Sequence, residues 1–523
     1  MLQEAGRPAI LGPVLLLVSY VLYRLLFAGP KLPKLPIVGA RKGDWFPRLQ
    51  ASWRNVVDFK RAVVEAERAY PNQTTLVPVA GTGDVVLLPR SEIQFVVEQP
   101  DSVLDMHTQV VDSMQFRYTS ANAEIIDNPI HHRVITTTLT NQIGNLVPEV
   151  AEETAYSIDD ELGLDTEYHE VCVGTAMFRC IGSVTNRVIV GQPKCRDPEL
   201  LRINGVYAKW VTVIGWALRN TWKPVRPLVA FFLTIPIHHY TRKWNNCLRD
   251  EIDSRADDYD ARQRDPEAKA LKSEPNDFLQ WCLKQAKEIG DPYLWDYRTL
   301  GNRMLLVNFA ALHTSSMALT NVILDLVSSK QEYIDELRRE IETVLADYGG
   351  EWNKRALARM EKLDSLFRES ARLNSFVTVG LNRRVMAKEG ITTPSGIHIP
   401  CGATVGVPSY TVLFDDSVYP DAHEFKPFRF SVQREDDEVE YVKRANKSFA
   451  TTGKDYLAFG HGRNACPGRF FAANELKLML AYLIMNYDME VTGPGTRPRN
   501  KWYGLTRIPS MEATVRMRRR ART

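Results

Sequence analysis

Residues 459–471 read FGHGRNACPGRFF, a glycine-dense loop that delivers one cysteine, Cys466, to the start of a predicted helix. Glycine adopts positive φ angles readily and lets a backbone approach a flat ligand closely. Pro467 suits the first position of a helix, and a helix N-terminus stabilises a thiolate through its free N–H groups and its dipole. The loop therefore predicts a cysteine that acts as a nucleophile or binds a metal, rather than a buried inert thiol.

Both of these roles are open to Cys466. As a nucleophile it needs a neighbouring base, and His461 is the local candidate. As the axial ligand of a heme iron it needs N–H donors near the sulfur and a shielding aromatic side chain. Phe459 is placed to be that aromatic residue.

The spacing of Phe459, two glycines, Cys466 and Gly468 resembles the heme-binding signature of the cytochrome P450 monooxygenases. The resemblance extends over essentially the whole chain after the N-terminal linker. It implies heme b with the Cys466 thiolate as axial iron ligand, in a single large helical heme-thiolate monooxygenase fold, mainly α with small β-sheets. One departure is clear: the family usually has Arg or His two residues before the cysteine to meet a heme propionate. Here that residue is Asn464, and Arg463 is expected to make the contact instead.

Glu369 and Arg372 are three residues apart on a predicted helix, so their charges share one face. The same spacing occurs elsewhere, for example at Glu199 and Arg202, where a surface pair is expected. The resemblance implies that Glu369, Arg372 and Arg429 form a buried network that secures the chain before the cysteine loop. Buried charges persist only when paired, so loss of one partner should be far more harmful than loss of a surface pair.

Two basic clusters are further candidates for heme propionate contacts. Arg383 and Arg384 lie on a predicted strand, where successive side chains point to opposite faces, so only one can face inward. We favour Arg384. His131, His132 and Arg133 lie where the family often has a Trp-x-x-x-Arg helix, which is absent here, and His132 is our candidate for its role. The alternative for these histidines is a polar helix start.

Residues 310–315 read AALHTS within a long apolar segment. The Thr314 hydroxyl can bond to the Ala310 carbonyl and bend the helix, and the two alanines open space on one face. The stretch resembles the family's oxygen-activation segment, in which an acid precedes the threonine, but here that position holds His313. We interpret His313 as part of a proton path to Thr314, with a satisfied core histidine as the alternative. This form of the motif resembles fungal enzymes of specialised metabolism, many of which act on terpenoids.

The composition indicates a globular chain. With 44% hydrophobic and 25% charged residues among 523, it is not disordered, collagen-like or a disulfide scaffold. The net charge of +3 gives no case for nucleic acid as a partner. Seven cysteines without a C-x-x-C pair favour a reducing compartment. Residues 300–328 predict a core helix and β-branched runs after residue 373 predict short strands, so we expect one helical domain with a small sheet annex.

Residues 9–27 form an apolar run with a single charge, Arg24. As a helix the run would span about 28 Å, close to the ~30 Å hydrocarbon core of a bilayer. Basic residues follow it, so the positive-inside rule leaves the remaining chain in the cytosol. We predict a single-pass membrane anchor at 1–28, a proline-rich linker at 29–45 and a heme-thiolate monooxygenase domain at 46–523, with the endoplasmic reticulum as the expected membrane. A cleaved signal peptide is the less favoured alternative.

These features together predict a membrane-bound oxidoreductase, a heme-thiolate monooxygenase that inserts one atom of O₂ into a lipophilic small molecule. A terpenoid of secondary metabolism is the expected substrate class. The sequence has no Gly-x-Gly-x-x-Gly fingerprint, so a separate NADPH-cytochrome reductase is the expected electron donor. One alternative is a heme-thiolate isomerase or dehydratase, and the presence of Thr314 argues against it. The other is a non-catalytic heme-binding protein, and the apolar helix and the anchor argue against it.

Overall fold

The computed structural model describes residues 19, 30–265, 273–435, 447–493 and 495–521. The predicted anchor, residues 1–28, lies outside the described residues except for Ser19. Within the described ranges, thirteen helices of eight or more residues form the body of the molecule. They are α1 (Pro47–Val57), α2 (Phe59–Ala69), α3 (Met106–Met114), α4 (Thr140–Leu162), α5 (Val173–Ile189), α6 (Pro198–Asn220), α7 (Arg226–Leu233), α8 (Ile235–Arg264), α9 (Phe278–Ile289), α10 (Tyr297–Val327), α11 (Gln331–Asp347), α12 (Glu361–Leu373) and α13 (Arg469–Asn486).

Shorter helical segments connect these helices. They are Arg90–Glu92, Ile93–Glu98, Phe116–Thr119, Glu124–Asp127, Ile130–Val134, Ile135–Leu139, Lys194–Arg196, Lys223–Val225, Pro292–Trp295, Lys354–Arg359, Ser409–Leu413, Arg429–Glu435 and Gly462–Asn464. Several are single turns that redirect the chain between longer elements.

Helix α10 runs through the helical body. It begins at Asp296, whose side chain accepts a hydrogen bond from the Arg298 N–H. Its 31 residues extend over about 46 Å at 1.5 Å per residue. It packs against α5, α8, α12 and α13, with Leu300 and Leu319 fully buried. Among the described residues it is the one helix with the length and apolarity to cross a membrane, but most of it is buried, as the predicted core helix requires.

The strands form small sheets beside the helices. They are β1 (Thr75–Val79), β2 (Gly83–Leu87), β3 (Leu104–Asp105), β4 (His169–Cys172), β5 (Gly380–Val385), β6 (Ile391–Thr392), β7 (His398–Ile399), β8 (Thr404–Val407), β9 (Tyr487–Val491), β10 (Lys501–Tyr503), β11 (Thr506–Ile508) and β12 (Thr514–Arg519). The largest sheet has the order β1-β2-β8-β5-β3, and a second has the order β4-β12-β9. The strands β10 and β11 pair, as do β6 and β7.

The segments that carry the candidate site residues meet beside helix α10. Helix α12 leads into β5, the chain returns through β8, and the cysteine loop at 459–466 then precedes α13. Both α12 and α13 pack on α10, so the loop is held beside the core helix. The predicted fold class, mainly α with small β-sheets, is confirmed.

Candidate active site

The cysteine loop is closed by its own backbone. The Cys466 N–H donates to the Phe459 carbonyl at 2.8 Å. Gly460 and Gly462 have φ angles of +71° and +75°, in the left-handed region that favours glycine. A Cβ on Gly462 would lie 2.4 Å from Cγ1 of Val97, so a side chain there would displace its neighbour. Gly460 and Gly462 are thus required by backbone conformation, and Gly462 also by close packing.

The surroundings of the Cys466 sulfur favour a metal ligand over a nucleophile. Burial raises the pKa of the Cys466 thiol, and the N–H groups of Gly468 and Arg469 with the Arg469 charge lower it only in part. The thiol is nonetheless accessible, as a sulfur on the wall of an internal space would be. The predicted base, His461, has Nδ1 3.1 Å from the Thr452 hydroxyl, and burial lowers its pKa. A thiol with N–H donors but no base suits a heme iron, whose positive charge would stabilise the thiolate.

A cavity lies between α10, α12 and the cysteine loop, and its lining is largely apolar. Phe459 and Phe449 line it, with ring centroids 5.0 Å apart. Phe449 stacks in turn on Phe367, at 5.4 Å and an interplanar angle of 29°. This aromatic wall is the shielding surface that a heme-ligating cysteine needs, so the residues present fit the cofactor.

Thr314 also lines this cavity. Its hydroxyl donates to the carbonyls of Ala310 and Ala311 at 3.1 and 3.2 Å. Thr314 is exposed although it lies in the middle of the core helix, because the cavity opens beside it. The structure therefore brings Thr314 and Phe459 to one cavity.

His313 packs away from Thr314, in an aromatic cluster. Its ring lies 5.3 Å from that of Phe178 on α5 and 6.1 Å from that of Phe309 on α10. Burial lowers the His313 pKa, which favours the neutral ring, and Nε2 has no hydrogen-bond partner among the described residues. His313 is not one of the residues that line the cavity, so the proton path from His313 to Thr314 stays a prediction.

The two strand arginines differ in burial. Arg383 is 4% exposed, whereas the Arg384 side chain is 24% exposed and lies 3.1 Å from the Asp112 carboxylate. Arg383 is therefore the more buried of the two. The role of Arg384 as a propionate contact stays a prediction.

The remaining propionate candidates have other partners. Arg463 donates to the Gln99 carbonyl, and its guanidinium lies 3.6 Å from Asp101. Asn464 donates to the same Asp101 carboxylate at 3.1 Å, so Arg463 and Asn464 are held together at the rim of the loop.

His131 and His132 differ sharply in environment. Nδ1 of His131 lies 2.9 Å from the Arg303 guanidinium, and burial lowers the pKa of His131 to about 3. His131 is therefore a neutral hydrogen-bond partner of Arg303. His132, our candidate for the propionate contact, is exposed on the following position of the same short helix. Of the two, only His132 is free to turn toward a ligand.

Glu369, Arg372 and Arg429 meet in the interior. The Arg372 Nε donates to Glu369 at 2.8 Å, and the Arg429 Nε lies 3.1 Å from both Glu369 oxygens. The Glu369 and Arg372 side chains are fully buried, whereas the Glu199–Arg202 pair is exposed. The remaining guanidinium donors reach backbone carbonyls of the segment before the cysteine loop, at Leu413, Pro420, Asp421, Ala422 and Glu424.

Two buried acids near the cavity were not predicted. Asp325 accepts hydrogen bonds from Ser370 at 2.6 Å and Asn374 at 2.8 Å, and both of these residues line the cavity. Glu475 accepts a hydrogen bond from Thr185 at 2.8 Å. The sequence does hold a signal for them, because each is the single acidic residue of its helix, α10 or α13.

Comparisons with known proteins agree with this site. The family model described as Cytochrome P450 matches residues 85–513. "Cytochrome P450 monooxygenase 103" of Postia placenta is 31% identical over 96% of this chain and 94% of its own length. "Cytochrome P450 monooxygenase gloP" of Glarea lozoyensis is 31% identical over 91% of this chain and 89% of its own.

A likeness of fold accompanies these matches. The solved structure "Retinoic acid bound cyanobacterial CYP120A1" superposes with a TM-score of 0.65 over 94% of this chain and all of its own, at 17% identity. The chain accordingly belongs to the cytochrome P450 family of heme-thiolate monooxygenases, oxidoreductases that incorporate one atom of O₂ and carry a heme whose iron is bound by a cysteine.

Proposed function

We propose that this protein takes electrons from a separate NADPH-cytochrome reductase and hydroxylates or further oxidises a lipophilic small molecule, a terpenoid of secondary metabolism. The observation that carries the proposal is the cavity lined both by Thr314 of the core helix and by Phe459 of the cysteine loop. Cytochrome P450 monooxygenases need a redox partner, which supports the assignment of the electron supply to a reductase.

The bound heme would supply the activation of O₂. The chain would supply the ligand of the iron, orient the reacting groups and exclude water. The Cys466 sulfur would be held by the N–H groups at the start of α13. Phe449 and Phe459 exclude water from the side of the cysteine, which strengthens every electrostatic interaction inside. The Thr314 hydroxyl, already bonded to carbonyls of its own helix, can rotate to hold a proton at Oγ1 toward the cavity.

The lipophilic substrate class is supported by the aromatic side chains around α10. The Phe309 ring packs edge-on against Phe116 at 6.0 Å and against Tyr207 at 6.3 Å. Phe309 lies one helical turn and a residue before Thr314, and it is only partly buried. Aromatic side chains of this kind would offer apolar surface without fixing its direction, as a hydrocarbon-rich substrate requires.

The test is turnover of the full-length protein with a fungal reductase and a panel of terpenoids, with product mass and ¹⁸O₂ incorporation as readouts. We expect product that needs NADPH and carries one atom from O₂. Product with no gain of oxygen would indicate the isomerase or dehydratase alternative, and heme without any turnover would indicate a binding protein.

Thr314→Ala should uncouple the enzyme while leaving heme content intact. General acid–base help is worth roughly 10²- to 10⁴-fold, but solvent entering the cavity replaces part of it, so we expect product per NADPH to fall about ten-fold, with hydrogen peroxide released instead. Thr320→Ala is the matched control, because the Thr320 hydroxyl also bonds a carbonyl four residues back but does not line the cavity. Unchanged coupling in Thr314→Ala would contradict the assignment.

The same measurement separates the two interpretations of His313. If His313 feeds protons, His313→Ala uncouples as Thr314→Ala does, and His313→Asp keeps most of the coupling. If His313 is a core residue among Phe178 and Phe309, His313→Ala lowers stability or heme content with coupling unchanged.

We also propose that residues 1–28 anchor the protein, with 29–45 as linker and 46–523 as a cytosolic catalytic domain at the endoplasmic reticulum. Exposed apolar side chains give this proposal support from the described residues. In and beside α7, Leu228, Phe231, Phe232 and Ile235 are 58–70% exposed. Large apolar groups that remain in contact with water mark a surface for lipid or for a partner.

Deletion of residues 1–28 should release the protein from membranes at least in part and leave heme binding intact. We expect the truncated chain to keep residual binding to liposomes through α7, and Phe231→Ser with Phe232→Ser to remove it, because both rings are exposed. Sedimentation with liposomes measures both effects. Protease protection of the domain in sealed microsomes would instead place it in the lumen and contradict the topology.

A further inference from the structure

Arg303 of α10 is a fully buried guanidinium group. Its Nη1 donates to the Asn128 carbonyl at 3.0 Å and lies 2.9 Å from Nδ1 of His131. Its Nε and Nη2 have no hydrogen-bond partner among the described residues. Because arginine keeps its proton in proteins, a positive charge and two donor atoms are buried here without an acceptor. A buried charge of this kind is costly unless an anion pairs with it.

The two free donor atoms form one edge of the guanidinium group, and in other arginines of this chain that edge binds a carboxylate. Nε and Nη2 present parallel N–H bonds that match the two oxygens of a carboxylate. Three arginines use these two atoms to hold an acid, in the pairs Arg196–Glu153, Arg202–Glu199 and Arg372–Glu369. The same edge of Arg303 therefore has the geometry of a carboxylate site.

The described groups around Arg303 do not supply a negative charge to this edge. The Cys282 thiol of α9 acts on the pKa of Arg303, but burial raises the pKa of Cys282 to about 12, so the thiol stays protonated. Burial lowers the pKa of His131 to about 3, so its ring is neutral. Glu124 and Tyr293 are exposed, and neither makes a hydrogen bond to the guanidinium group. No described residue therefore balances the charge of Arg303.

Arg303 lies on the same face of α10 as Thr314. The two residues are eleven positions apart, which is three turns of helix or about 16 Å. Val307 and Ala310 lie between them on this face, at the spacing of successive turns. Exposure rises along the face, because Arg303 is fully buried, Val307 is partly buried, and Ala310 and Thr314 are exposed. The face therefore runs from the cavity at Thr314 to a buried cation at its other end.

Residues 116–128 cover the Arg303 end of this face. The Phe116 ring packs on Phe309 at 6.0 Å, and the Asn128 carbonyl accepts the hydrogen bond from Arg303. The segment contains two single-turn helices, Phe116–Thr119 and Glu124–Asp127. Short elements with few backbone hydrogen bonds open at a lower cost than long helices do. A ligand can therefore reach Arg303 when this segment moves away from α10.

We propose that Arg303 binds a carboxylate of the substrate, so that the substrate is a terpenoid carboxylic acid oxidised at a carbon remote from its acid group. The inference rests on the proposed oxidation of a terpenoid and adds the acid group to it. The two carboxylate oxygens accept hydrogen bonds from Nε and Nη2, and the hydrocarbon body lies along Val307 and Ala310. A carbon about 16 Å from the acid then meets the cavity beside Thr314. Arg303 thus determines which end of the substrate is oxidised.

Binding is measured by equilibrium dialysis of the heme-loaded, full-length protein without reductase or NADPH. The probes are farnesoic acid and methyl farnesoate, which differ in the charge at one end of the same hydrocarbon body. Two hydrogen bonds between charged groups should make wild type bind the acid roughly 30-fold more tightly than the ester. Equal affinity for the two probes would overturn the proposal. This comparison needs neither turnover nor a variant.

Arg303→Met should abolish the preference for the acid and leave the affinity for the ester unchanged, because methionine keeps the apolar length of the side chain and removes its charge. Arg303→Lys keeps the charge without the paired donors, so a reduced preference should remain. Arg298→Met is the matched control, because Arg298 is exposed on the same helix, and it should keep the full preference. A folded Arg303→Met that keeps the full preference would refute the role.

A second pair of probes, palmitic acid and methyl palmitate, separates this inference from the proposed terpenoid class. A preference for palmitic acid that depends on Arg303, without binding of farnesoic acid, would support the carboxylate site and contradict the terpenoid class. A preference for farnesoic acid without any NADPH-dependent product would support the site and contradict the proposed monooxygenation. If neither acid is preferred over its ester, the carboxylate site is wrong, whatever the enzyme oxidises.

Discussion

Cys466→Ala is expected to abolish the strongly red-shifted Soret band of the reduced, carbon monoxide-treated protein. That band reports a thiolate bound to the iron opposite carbon monoxide, and Cys466 is the cysteine of the loop that lies beside Phe459 and the cavity. The alanine keeps the backbone hydrogen bond to Phe459 because that bond uses the N–H group. We therefore expect a folded chain that has lost iron ligation and all NADPH-dependent oxidation.

Cys401→Ala is the matched control for this change. Cys401 is also an exposed cysteine, but it lies between β7 and β8 and away from the loop. Its replacement should leave the band at full height. A band that survives in Cys466→Ala would mean that another residue ligates the iron.

Glu369→Ala is expected to give a protein that is largely unfolded or free of heme. The substitution leaves two guanidinium groups, Arg372 and Arg429, buried beside each other without a counter-charge. Breaking a buried pair in this way typically costs ~3–5 kcal/mol, against a total stability of roughly 5–15 kcal/mol for a folded protein. The heme content per protein and the thermal melting curve measure the effect.

The exposed pair Glu199–Arg202 provides the control, because it has the same spacing and hydrogen bonds of 2.7 Å. Glu199→Ala should change neither heme content nor melting, since water solvates the charges that remain. Equal effects of Glu199→Ala and Glu369→Ala would show that burial of the pair is unimportant. Glu369→Asp tests the geometry separately and should be intermediate.

Much of the fold could be predicted from periodicity. The apolar segment predicted as a core helix at 300–328 is α10, at Tyr297–Val327. The helix predicted to carry Glu369 and Arg372 is α12, at Glu361–Leu373. The β-branched runs predicted as strands after residue 373 give β5 only from Gly380 onward, because pairing with β8 and not β-propensity fixes where a strand starts.

The parts of the site that lie within one short stretch of sequence could be predicted, but the contacts between distant segments could not. The cysteine loop and Thr314 could be identified because each motif lies within a dozen residues. Strand alternation says that Arg383 and Arg384 differ, but which of the two is more buried could not be predicted, because the packing of the sheet decides it. Glu475 was missed because its partner Thr185 comes from another helix, α5.

The carbonyl contacts of Arg372 and Arg429 have a consequence for which changes the chain can accept between residues 413 and 424. The two guanidinium groups bind main-chain oxygens there, and every amino acid supplies the same oxygen. Most side chains in this stretch can therefore be substituted without loss of these contacts. An inserted or deleted residue is not tolerated in the same way, because it would move every carbonyl out of reach. In a set of related sequences, the amino acids of this stretch should vary while its number of residues stays constant.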